Sequence, residues 1–402
     1  MIINIIRGQH QIGGSIIEIK TEKAKVIFDI GINLDESHQD EYPNVNGLFE
    51  GEKQYDAVFI SHYHADHVGL MDKLLPDIPV YMGQNAYQIL CASNEYRHIE
   101  TGFIPLFIKH GVSIWIGDME IIPFSCDHSA YDSYMFLIKC RNKIVLYSGD
   151  FRANGRMDYH VLLEELPQVD VLIVEGTTLI RDVPCGNIEE NTLERIAVNE
   201  LMKHEGPCFV MMSAMNIDRL ITMYNVAQKT GRVLLEDLYT AQIVGSIQSS
   251  VPKPDKEKGI RVFATDGNPE RYKKLNSFGK AKIGKNAIIR EKYIMCVRPS
   301  MINYLRKLEI MRDFQDGILF YGMWKGYQEK KEVADFLRFM QESGVKLHTL
   351  HTSGHADTYT IDKLIADVKP KIIMPVHTEN EKWFDKYKDS ITIEYNSKIL
   401  EI

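Results

Sequence analysis

The sequence predicts an α/β protein in which two β-sheets pack together under a cover of helices, with a second α/β segment inserted into the first. Three observations support this prediction. Short β-branched runs dominate residues 1–150, strands and helices alternate regularly after residue 169, and a strand–helix–strand pattern returns after residue 345. A chain of 402 residues is long enough for two or three folded units.

The N-terminal part is predicted to consist mainly of strands, because its apolar runs are short, β-branched and separated by Gly or polar breaks. Two helical stretches are predicted among them, near residues 68–75 and 85–91. The predicted strands are residues 2–6, 15–20, 25–30, 56–60, 79–82, 113–116, 119–124, 134–138 and 143–147.

From residue 169 the apolar runs alternate with amphipathic stretches of helical period. This alternation predicts parallel strands joined by crossover helices. A loop rich in Pro and Lys interrupts it at residues 251–259. The predicted strands are residues 169–174, 207–212, 232–235, 293–297 and 318–323, and the predicted helices are residues 189–204, 217–229, 301–312 and 331–342.

The pattern divides the chain into three parts. Residues 1–184 are expected to form the first part of one domain, and residues 185–344 a second domain inserted into it. Residues 345–402 supply a strand, a helix at 357–368 and a strand at 371–376, which are expected to rejoin the first domain.

Composition excludes several classes of protein. With 45% hydrophobic and 25% charged residues, the chain is neither disordered nor collagen-like. It has no run of about 18 or more apolar residues and no basic-then-apolar leader, so we expect neither a membrane span nor secretion. The six cysteines show no Cys-x-x-Cys spacing, which is typical of reduced thiols in a cytoplasmic protein.

The charge is unevenly distributed. The net charge is −8, yet thirteen Lys or Arg accompany only five Asp or Glu between residues 253 and 298. Such a segment could steer a polyanion towards one face of the protein. A solvated, Lys-rich loop explains the same composition, and the sequence leaves both alternatives open.

The densest cluster of metal-binding side chains is HYHADH at residues 62–67, directly after a predicted strand. On a turning loop, His62 and His64 can converge on one ion, while Asp66 and His67 lie close enough to serve a second. Zinc prefers imidazole and carboxylate donors of this kind. The sequence therefore predicts a zinc site here, rather than a polar loop that merely contains histidines.

Two ions need more donors than this loop contains, and candidates follow other predicted strands. His128, Asp150 and His377 each come after the end of an apolar run. Strand ends are where a sheet presents site residues at its edge. A lone polar residue there is usually a cap or a turn residue, but three of them together with the loop predict a shared metal centre.

The motifs VIFDIG at Asp29, HYHADH, DHS at His128 and SGDFR at Asp150 resemble the four signature motifs of the metallo-β-lactamase fold. The resemblance implies an αββα sandwich. The second α/β segment, a parallel sheet flanked by helices, would then be the inserted domain that defines the β-CASP branch of this fold. The resemblance covers essentially the whole chain.

Three later motifs resemble those specific to the β-CASP branch, which comprises nucleases. They are Glu175 in EGTT, His355 in TSGHAD and His377 in PVHTE. His377 favours the members that process RNA, because members of the DNA-repair type carry Val there. Within the branch the chain is most similar to ribonuclease J, including the segment PCFVMMSAMNIDRL at residues 207–220.

The resemblance implies two Zn²⁺ ions per chain, for which Mn²⁺ could substitute because the donors suit both ions. Asp29 would hydrogen-bond the ligands without touching metal. The implied ligands are His62, His64 and His128 for the first ion, Asp66, His67 and His377 for the second, and Asp150 for both.

The implied activity is hydrolysis of RNA phosphodiester bonds by metal-activated water, which leaves a 5′ phosphate and a 3′ hydroxyl. His355 would act as general acid for the leaving oxygen, and Glu175 would keep it protonated and oriented. The resemblance implies that Asp66 is both a metal ligand and a catalytic residue. The alternatives for Glu175 and His355 are a strand-end cap and a turn residue that opens a helix.

Substrate contacts are expected at two places. Ser213, Asn216 and Arg219 lie at a strand-to-helix junction, where backbone N–H groups attract phosphate. Helix capping and a surface Arg explain these three residues equally well. Ser353 and Gly354, in the SGH turn, are the other candidates for substrate binding.

Trp324 and Tyr327 could stack on unpaired bases, although burial in the core of the inserted domain is the stronger alternative. A narrow cleft between the domains would favour single-stranded RNA as the substrate. Assembly into a homo-oligomer also stays open. Two other functions stay open. They are hydrolysis of DNA ends or of a small phosphodiester with the same ions, and a non-catalytic scaffold in RNA processing, against which the complete ligand set argues.

Overall fold

The computed structural model describes residues 1–34, 41–179 and 186–402 of the chain. These residues form two compact units. The expected boundary between residues 184 and 185 lies outside the described residues. The first unit contains Met1–Cys91, Ile99–Asn187 and Gly354–Ile402, and the second contains Ala92–His98 and Ile188–Ser353.

Strands form the framework of both units and are numbered along the chain. Their bounds are β1 (Ile2–Arg7), β2 (Ile16–Lys20), β3 (Lys25–Phe28), β4 (Ala57–Phe59), β5 (Val80–Gly83), β6 (Leu106–Ile108), β7 (Ile114–Ile116), β8 (Met119–Cys126), β9 (Ser133–Cys140), β10 (Lys143–Tyr147), β11 (Val171–Glu175), β12 (Cys208–Met211), β13 (Val233–Asp237), β14 (Ile260–Phe263), β15 (Tyr293–Val297), β16 (Ile318–Tyr321), β17 (Lys346–Thr349), β18 (Ile372–Val376), β19 (Thr392–Ile393) and β20 (Ile399–Glu401).

The α-helices are numbered in the same way, and short 3-10 turns occur between them. The helices are α1 (Ala65–Val68), α2 (Gln84–Tyr96), α3 (Tyr159–Glu165), α4 (Glu190–Leu201), α5 (Ile217–Lys229), α6 (Leu238–Ser246), α7 (Pro269–Ser277), α8 (Lys285–Ile288), α9 (Ile302–Glu309), α10 (Lys331–Glu342) and α11 (Thr358–Val368).

The first unit contains two seven-stranded sheets, in the orders β20-β1-β2-β3-β4-β5-β6 and β19-β18-β11-β10-β9-β8-β7. Apolar side chains from both sheets form one shared core. Its centre is aromatic, because Phe28 and Phe59 of the first sheet contact Phe136 of the second, with ring centroids 5.3 and 5.6 Å apart. This removal of apolar area from water holds the two sheets together as a sandwich.

Helices α3 and α11 pack on a second core that includes the other side of the second sheet. Helix α11 forms because Ile361, Leu364 and Val368 recur at helical spacing and are all buried. Its start is fixed by Asp357, whose side chain accepts a hydrogen bond from the backbone N–H of Thr360 at 2.8 Å. The apolar face therefore lies on the sheet whose strands lead to His128, Asp150, Glu175 and His377.

The second unit is built on one six-stranded sheet in the order β14-β13-β15-β12-β16-β17. Every neighbouring pair in it is parallel, which confirms the predicted parallel sheet with crossover helices. One strand lies elsewhere than expected. Strand β17 was expected in the segment that rejoins the first domain, but it pairs with β16 along its whole length and so belongs to the second unit.

The helix expected at residues 68–75 is not continuous. Helix α1 ends at Val68, and a separate 3-10 turn follows at Met71–Lys73. The backbone N–H of Leu70 donates to the carbonyl of Ile30 at 2.9 Å, which draws the chain away from a helical path. Apolar spacing alone did not reveal this tertiary hydrogen bond.

No helix within the described ranges combines the length and the apolar character needed to cross a bilayer. The cysteines in those ranges are free thiols, and four of the five are buried.

Candidate metal centre

Strand ends deliver the predicted metal donors. In the first sheet, β4 leads directly into the loop and short helix that carry HYHADH. In the second sheet, β10, β11 and β18 are neighbouring parallel strands, so their C-terminal ends lie at one edge. Glu175 is the last residue of β11, and Asp150 and His377 follow β10 and β18. Side chains far apart in sequence therefore meet at this edge.

The first donor group consists of His62, His64 and His128, each of which offers one nitrogen within 4.8 Å of the others. Nδ1 of His64 lies 3.2 Å from Nε2 of His128. The ring centroid of His62 lies 4.8 Å from that of His64 and 4.7 Å from that of His128. Three convergent imidazoles of this kind are a typical zinc-binding set.

The second donor group consists of Asp66, His67, Asp150 and His377, all of them buried. Nε2 of His377 lies 3.1 Å from Oδ2 of Asp66, and Nε2 of His67 lies 3.2 Å from Oδ2 of Asp150. The same oxygen of Asp150 lies 3.8 Å from Nε2 of His62, which belongs to the first group. Asp150 therefore lies between the two groups.

Asp29 fixes the orientation of two donor histidines. Its Oδ2 accepts hydrogen bonds from Nδ1 of His67 at 2.8 Å, from the hydroxyl of Tyr147 at 2.7 Å and from that of Ser61 at 2.8 Å. Since the Ser61 hydroxyl donates to Asp29, it accepts from Nδ1 of His62, 3.0 Å away. With the proton on Nδ1, Nε2 of each ring keeps its lone pair for the centre.

Several buried atoms of the centre make no well-oriented hydrogen bond among the described residues. They are Nε2 of His62, Nε2 of His67 and both carboxylate oxygens of Asp150. Burying polar atoms without partners costs free energy, and coordination of a metal ion would satisfy all of them. Imidazole nitrogens and carboxylate oxygens are donors that zinc and manganese accept. The residues fit a metal ion, and the centre is a metal-binding site.

The electrostatic environment favours neutral histidines in the first group. Burial, followed by the proximity of other histidines, lowers the pKa of His62 and His128 well below the usual value. Burial also lowers the pKa of His64, to about 4. Burial would raise the pKa of Asp66, but His67 and His377 lower it to about 2. At neutral pH the three histidines of the first group are therefore neutral and Asp66 is ionised, which are the protonation states that bind metal. Burial would lower the pKa of His67, but Asp150, Asp29 and Asp66 raise it well above the usual value, so metal binding there has to displace a proton.

His355 and Glu175 form a pair beside the second donor group. Nδ1 of His355 lies 3.1 Å from Oε2 of Glu175 and 3.6 Å from Oδ2 of Asp150. Burial would lower the pKa of His355, but these two carboxylates raise it to about 9. Oε1 of Glu175 accepts from the backbone N–H of Phe151 at 3.0 Å, which fixes the carboxylate. At neutral pH the imidazole of His355 is therefore protonated.

Sequence reasoning missed a buried ion pair next to the centre. Nε of Arg152 lies 2.6 Å from Oδ1 of Asp127, and both side chains are buried. The backbone N–H of Arg152 also donates to the carbonyl of Asp127 at 2.7 Å. The pair ties the loop that carries His128 to the loop that carries Asp150. The sequence contained a signal for this pair, because the motif DHS contains the acidic Asp127 and the motif SGDFR contains the basic Arg152.

Gly354, which is expected to contact substrate, also contacts a donor histidine. Its carbonyl accepts a hydrogen bond from Nδ1 of His128 at 2.5 Å. A Cβ at this position would lie 2.4 Å from Oγ of Ser129, so only glycine fits without displacing that side chain. The preceding Ser353 is partly exposed.

The second predicted group of substrate contacts lies on α5, and the structure supports the capping alternative. The side chain of Asn216 accepts from the backbone N–H of Arg219 at 3.0 Å, and Oγ of Ser213 accepts from that of Met215 at 3.3 Å. The side chain of Arg219 is 1% exposed and pairs with both carboxylate oxygens of Glu190, at 2.9 and 3.1 Å. The prediction of substrate contact by Arg219 is corrected, because its guanidinium is buried in this ion pair.

The prediction that Trp324 and Tyr327 are buried in the core of the inserted domain, which was the stronger alternative from the sequence, is wrong. Trp324 is 46% exposed and Tyr327 is 39% exposed. Their rings make an edge-to-face contact with centroids 5.5 Å apart.

Two family descriptions match the chain. The description "Beta-lactamase superfamily domain" matches residues 26–229, which is about half of the chain and includes the motifs from VIFDIG to EGTT. The description "Zn-dependent metallo-hydrolase RNA specificity domain" matches residues 344–398, which include TSGHAD and PVHTE.

Curated relatives carry the name Ribonuclease J. The protein of Sinorhizobium meliloti is 21% identical over 84% of this chain and 60% of its own, and that of Mycoplasma genitalium is 22% identical over 92% and 67%. The protein of Pyrococcus abyssi is 24% identical over 94% of this chain and 90% of its own. The chain thus spans about 60% of the length of the first of these relatives.

A solved structure, titled as a protein of unknown function from Enterococcus faecalis V583, has the same fold. The TM-score is 0.76 at 19% identity, and the match covers 94% of both chains. This likeness and the family matches confirm the predicted sandwich with its inserted parallel domain. The chain belongs to the metallo-β-lactamase superfamily and, within it, to the ribonuclease J-like β-CASP branch.

Proposed function

We propose that the protein is a metal-dependent ribonuclease that hydrolyses single-stranded RNA and leaves a 5′ phosphate and a 3′ hydroxyl. The observation that carries the proposal is the pair of donor groups that meet at Asp150, with Nδ1 of His355 only 3.6 Å from the same carboxylate. A metal centre beside a protonated imidazole suits attack on a phosphodiester. RNA is favoured because the relatives are named ribonuclease J and residues 344–398 match an RNA specificity domain.

Two Zn²⁺ ions are proposed, and Mn²⁺ would suit the same donors. When bound, such a pair of ions supplies an acidified water as nucleophile and positive charge for the attacked phosphate. Asp29 would hold His67 in the orientation that binding requires. The proposed ligands are His62, His64 and His128 for one ion, Asp66, His67 and His377 for the other, and Asp150 for both.

The leaving 3′ oxygen needs a proton, and His355 would supply it. Nδ1 of this ring faces Glu175, so Nε2 is the nitrogen that would donate to the leaving group. The raised pKa of about 9 means that the imidazolium form predominates at neutral pH. Glu175 would act as the positioning residue that keeps the ring charged and oriented. Asp66 would contribute to catalysis as a ligand.

The test uses the purified chain with labelled single-stranded RNA and DNA oligonucleotides of one sequence, with and without a chelator. We expect cleavage of RNA that the chelator abolishes and that added Zn²⁺ or Mn²⁺ restores. Mass spectrometry of the products should show a 5′ phosphate. If only the DNA oligonucleotide is cleaved, DNA rather than RNA is the substrate. If neither oligonucleotide is cleaved, a nuclease function is contradicted.

A matched pair of variants tests the role of His355. His355→Ala should lower turnover by about 10²- to 10⁴-fold, the usual contribution of a general acid, while the metal content stays near that of the parent. His160→Ala removes an exposed histidine of the same unit and should leave both quantities unchanged. Full turnover by His355→Ala would exclude this residue as the proton donor.

A further inference from the structure

Residues 271–290 carry seven Lys or Arg and no Asp or Glu. This stretch begins within α7 after Glu270, continues through a 3-10 turn at Gly279–Ala281 and α8, and ends before Glu291. The rest of the chain is acidic overall, since the net charge is −8. A local excess of this size creates a positive potential at one part of the surface of the second unit.

Two cations of this stretch, Lys282 and Lys285, contact aromatic side chains of α7 and α9. Nζ of Lys282 donates to Oδ1 of Asn276 at 2.7 Å and lies 5.3 Å from the ring centroid of Tyr272. Nζ of Lys285 lies 4.8 Å from the ring centroid of Tyr304 on α9. We call this surface the α7–α9 basic face and define it by Lys273, Lys280, Lys282, Lys285 and Lys307.

Few carboxylates neutralise this charge. Arg271 pairs with Asp266 at 2.5 Å, and Lys274 pairs with Glu95 at 2.6 Å. Among the described residues, the other five cations of the stretch have no carboxylate partner within ion-pair distance.

Like charges also approach each other on this face. Burial, and then the neighbouring charge of Lys307, lowers the pKa of Lys285. Such uncompensated repulsion is relieved when a polyanion replaces the counterions around the cations.

An exposed aromatic ring lies within the face. The side chain of Tyr272 is 51% exposed, although an aromatic ring usually gains stability by burial. Its neighbour Lys273 and the overlying Lys282 are cationic. An exposed ring between cations is the combination by which proteins bind single strands, because bases stack on the ring while the cations follow the phosphates.

We propose that the α7–α9 basic face binds the backbone of single-stranded RNA and that Tyr272 stacks on one of its bases. The identification of the polyanion as RNA rests on the proposed function. All residues of the face belong to the second unit, whereas the metal donors belong to the first. We expect the face to raise affinity for long RNA, and none of its residues is a metal donor or a member of the His355–Glu175 pair.

The first experiment measures the salt dependence of binding to the metal-loaded chain. The probe is a fluorescent oligouridine with phosphorothioate linkages, which keep the backbone charge and resist hydrolysis. In the variant Lys280→Gln/Lys282→Gln/Lys285→Gln, the slope of log affinity against log salt concentration should become less negative by about 2, because each lost phosphate contact changes it by about 0.7. An unchanged slope in a variant with the parent's circular dichroism and thermal midpoint would overturn the proposal.

The matched control removes the same charge from another surface. Lys20, Lys23 and Lys398 are exposed residues of the first unit, and their triple replacement by Gln should leave the slope as in the parent. An equal change of slope in both triple variants would mean that net charge, rather than the α7–α9 basic face, controls binding.

Tyr272→Leu separates stacking from charge. We expect an affinity loss of about fivefold or more for the single strand, with the salt slope unchanged. Double-stranded RNA of the same length should not respond to this substitution. An equal response of both probes, or none of either, would contradict stacking by Tyr272.

Hydrolysis of a trinucleotide distinguishes this proposal from the proposed function. The Lys triple variant should cleave it as the parent does while binding the long probe more weakly. If the parent cleaves no RNA but the Lys triple variant changes the salt slope, the ribonuclease function is contradicted and the RNA-binding face is supported. If the parent cleaves RNA but the triple variant leaves the slope unchanged, the RNA-binding face is contradicted and the ribonuclease function is supported.

Discussion

The hydroxyl of Thr177 donates to Oε2 of Glu175 at 2.7 Å and therefore accepts a hydrogen bond from Nδ1 of His377, 2.8 Å away. His377 belongs to the second donor group, and Glu175 is the carboxylate beside His355. One hydroxyl thus orients a ligand of the metal centre and the partner of the proposed general acid together. With a proton on Nδ1, Nε2 of His377, which lies 3.1 Å from Oδ2 of Asp66, would have its lone pair available for a metal ion.

Removing this hydroxyl should weaken metal binding. Thr177→Val keeps the shape of the side chain but removes the acceptor for His377, so we expect metal affinity to fall by about 10- to 100-fold. Competition with a chelator of known affinity measures the change. Thr230→Val is the control, because its buried hydroxyl only donates to the carbonyl of Val226. Equal metal affinity in Thr177→Val and the parent would contradict an orienting role.

Glu175→Gln should shift the alkaline limb of the pH–rate profile. Burial would lower the folded-state pKa of His355, but Glu175 and Asp150 together raise it to about 9, so activity that depends on the imidazolium is present below that pH and is lost above it. Without the negative charge the pKa falls, and we expect the limb to move to lower pH by about one unit or more. A profile of kcat/KM against pH decides the matter. A limb that stays in place would exclude Glu175 as the group that keeps His355 charged.

Metal removal should lower the thermal stability of the first unit. The atoms of His62, His67 and Asp150 that make no well-oriented hydrogen bond are buried in the folded state, and an ion that binds only this state stabilises it by mass action. Chelation should therefore lower the thermal midpoint by several degrees, and added Zn²⁺ should raise it in proportion to the logarithm of its concentration. In Asp150→Asn the midpoint should respond much less. Identical responses of the two proteins would contradict a site that depends on Asp150.

Arg219→Met should destabilise the second unit without changing hydrolysis of a trinucleotide. It leaves the buried carboxylate of Glu190 without its ion-pair partner, which costs about 3 kcal/mol or more. Urea unfolding followed by circular dichroism measures the loss. The double variant Arg219→Met/Glu190→Met should recover most of it, since no buried charge remains unpaired. If the Arg219→Met variant is as stable as the parent but binds substrate poorly, substrate contact and not structural stabilisation is the role of Arg219.

Much of the metal centre could be predicted from the sequence because its donors lie in short motifs directly after strands. The strand at Lys143–Tyr147 and the helix at Ile217–Lys229 also have the predicted bounds, since both are compact apolar patterns with clear breaks. The hydrogen bonds that orient the donors were not predicted. Thr177 and His377 are 200 positions apart, and no local pattern records such a contact.

The Lys-rich part of the second unit was predicted least well. Helix α7 has few apolar residues, so its period is weak, although Asn268 as cap and Pro269 at the first position are a regular helix start. The short strands β19 and β20 of the first unit, with two and three residues, were not predicted either, because they form only through pairing with β18 and β1.

Arg219 looked like a surface residue because Glu190, its ion-pair partner, lies on a different helix.

Anomalous diffraction at the zinc edge, from crystals of the reconstituted protein, tests the two-metal centre most directly. We predict two peaks per chain with Asp150 in contact with both. The remaining contacts should be His62, His64 and His128 at one peak and Asp66, His67 and His377 at the other. A single peak, or none near these side chains, would contradict the centre on which the proposed ribonuclease function depends.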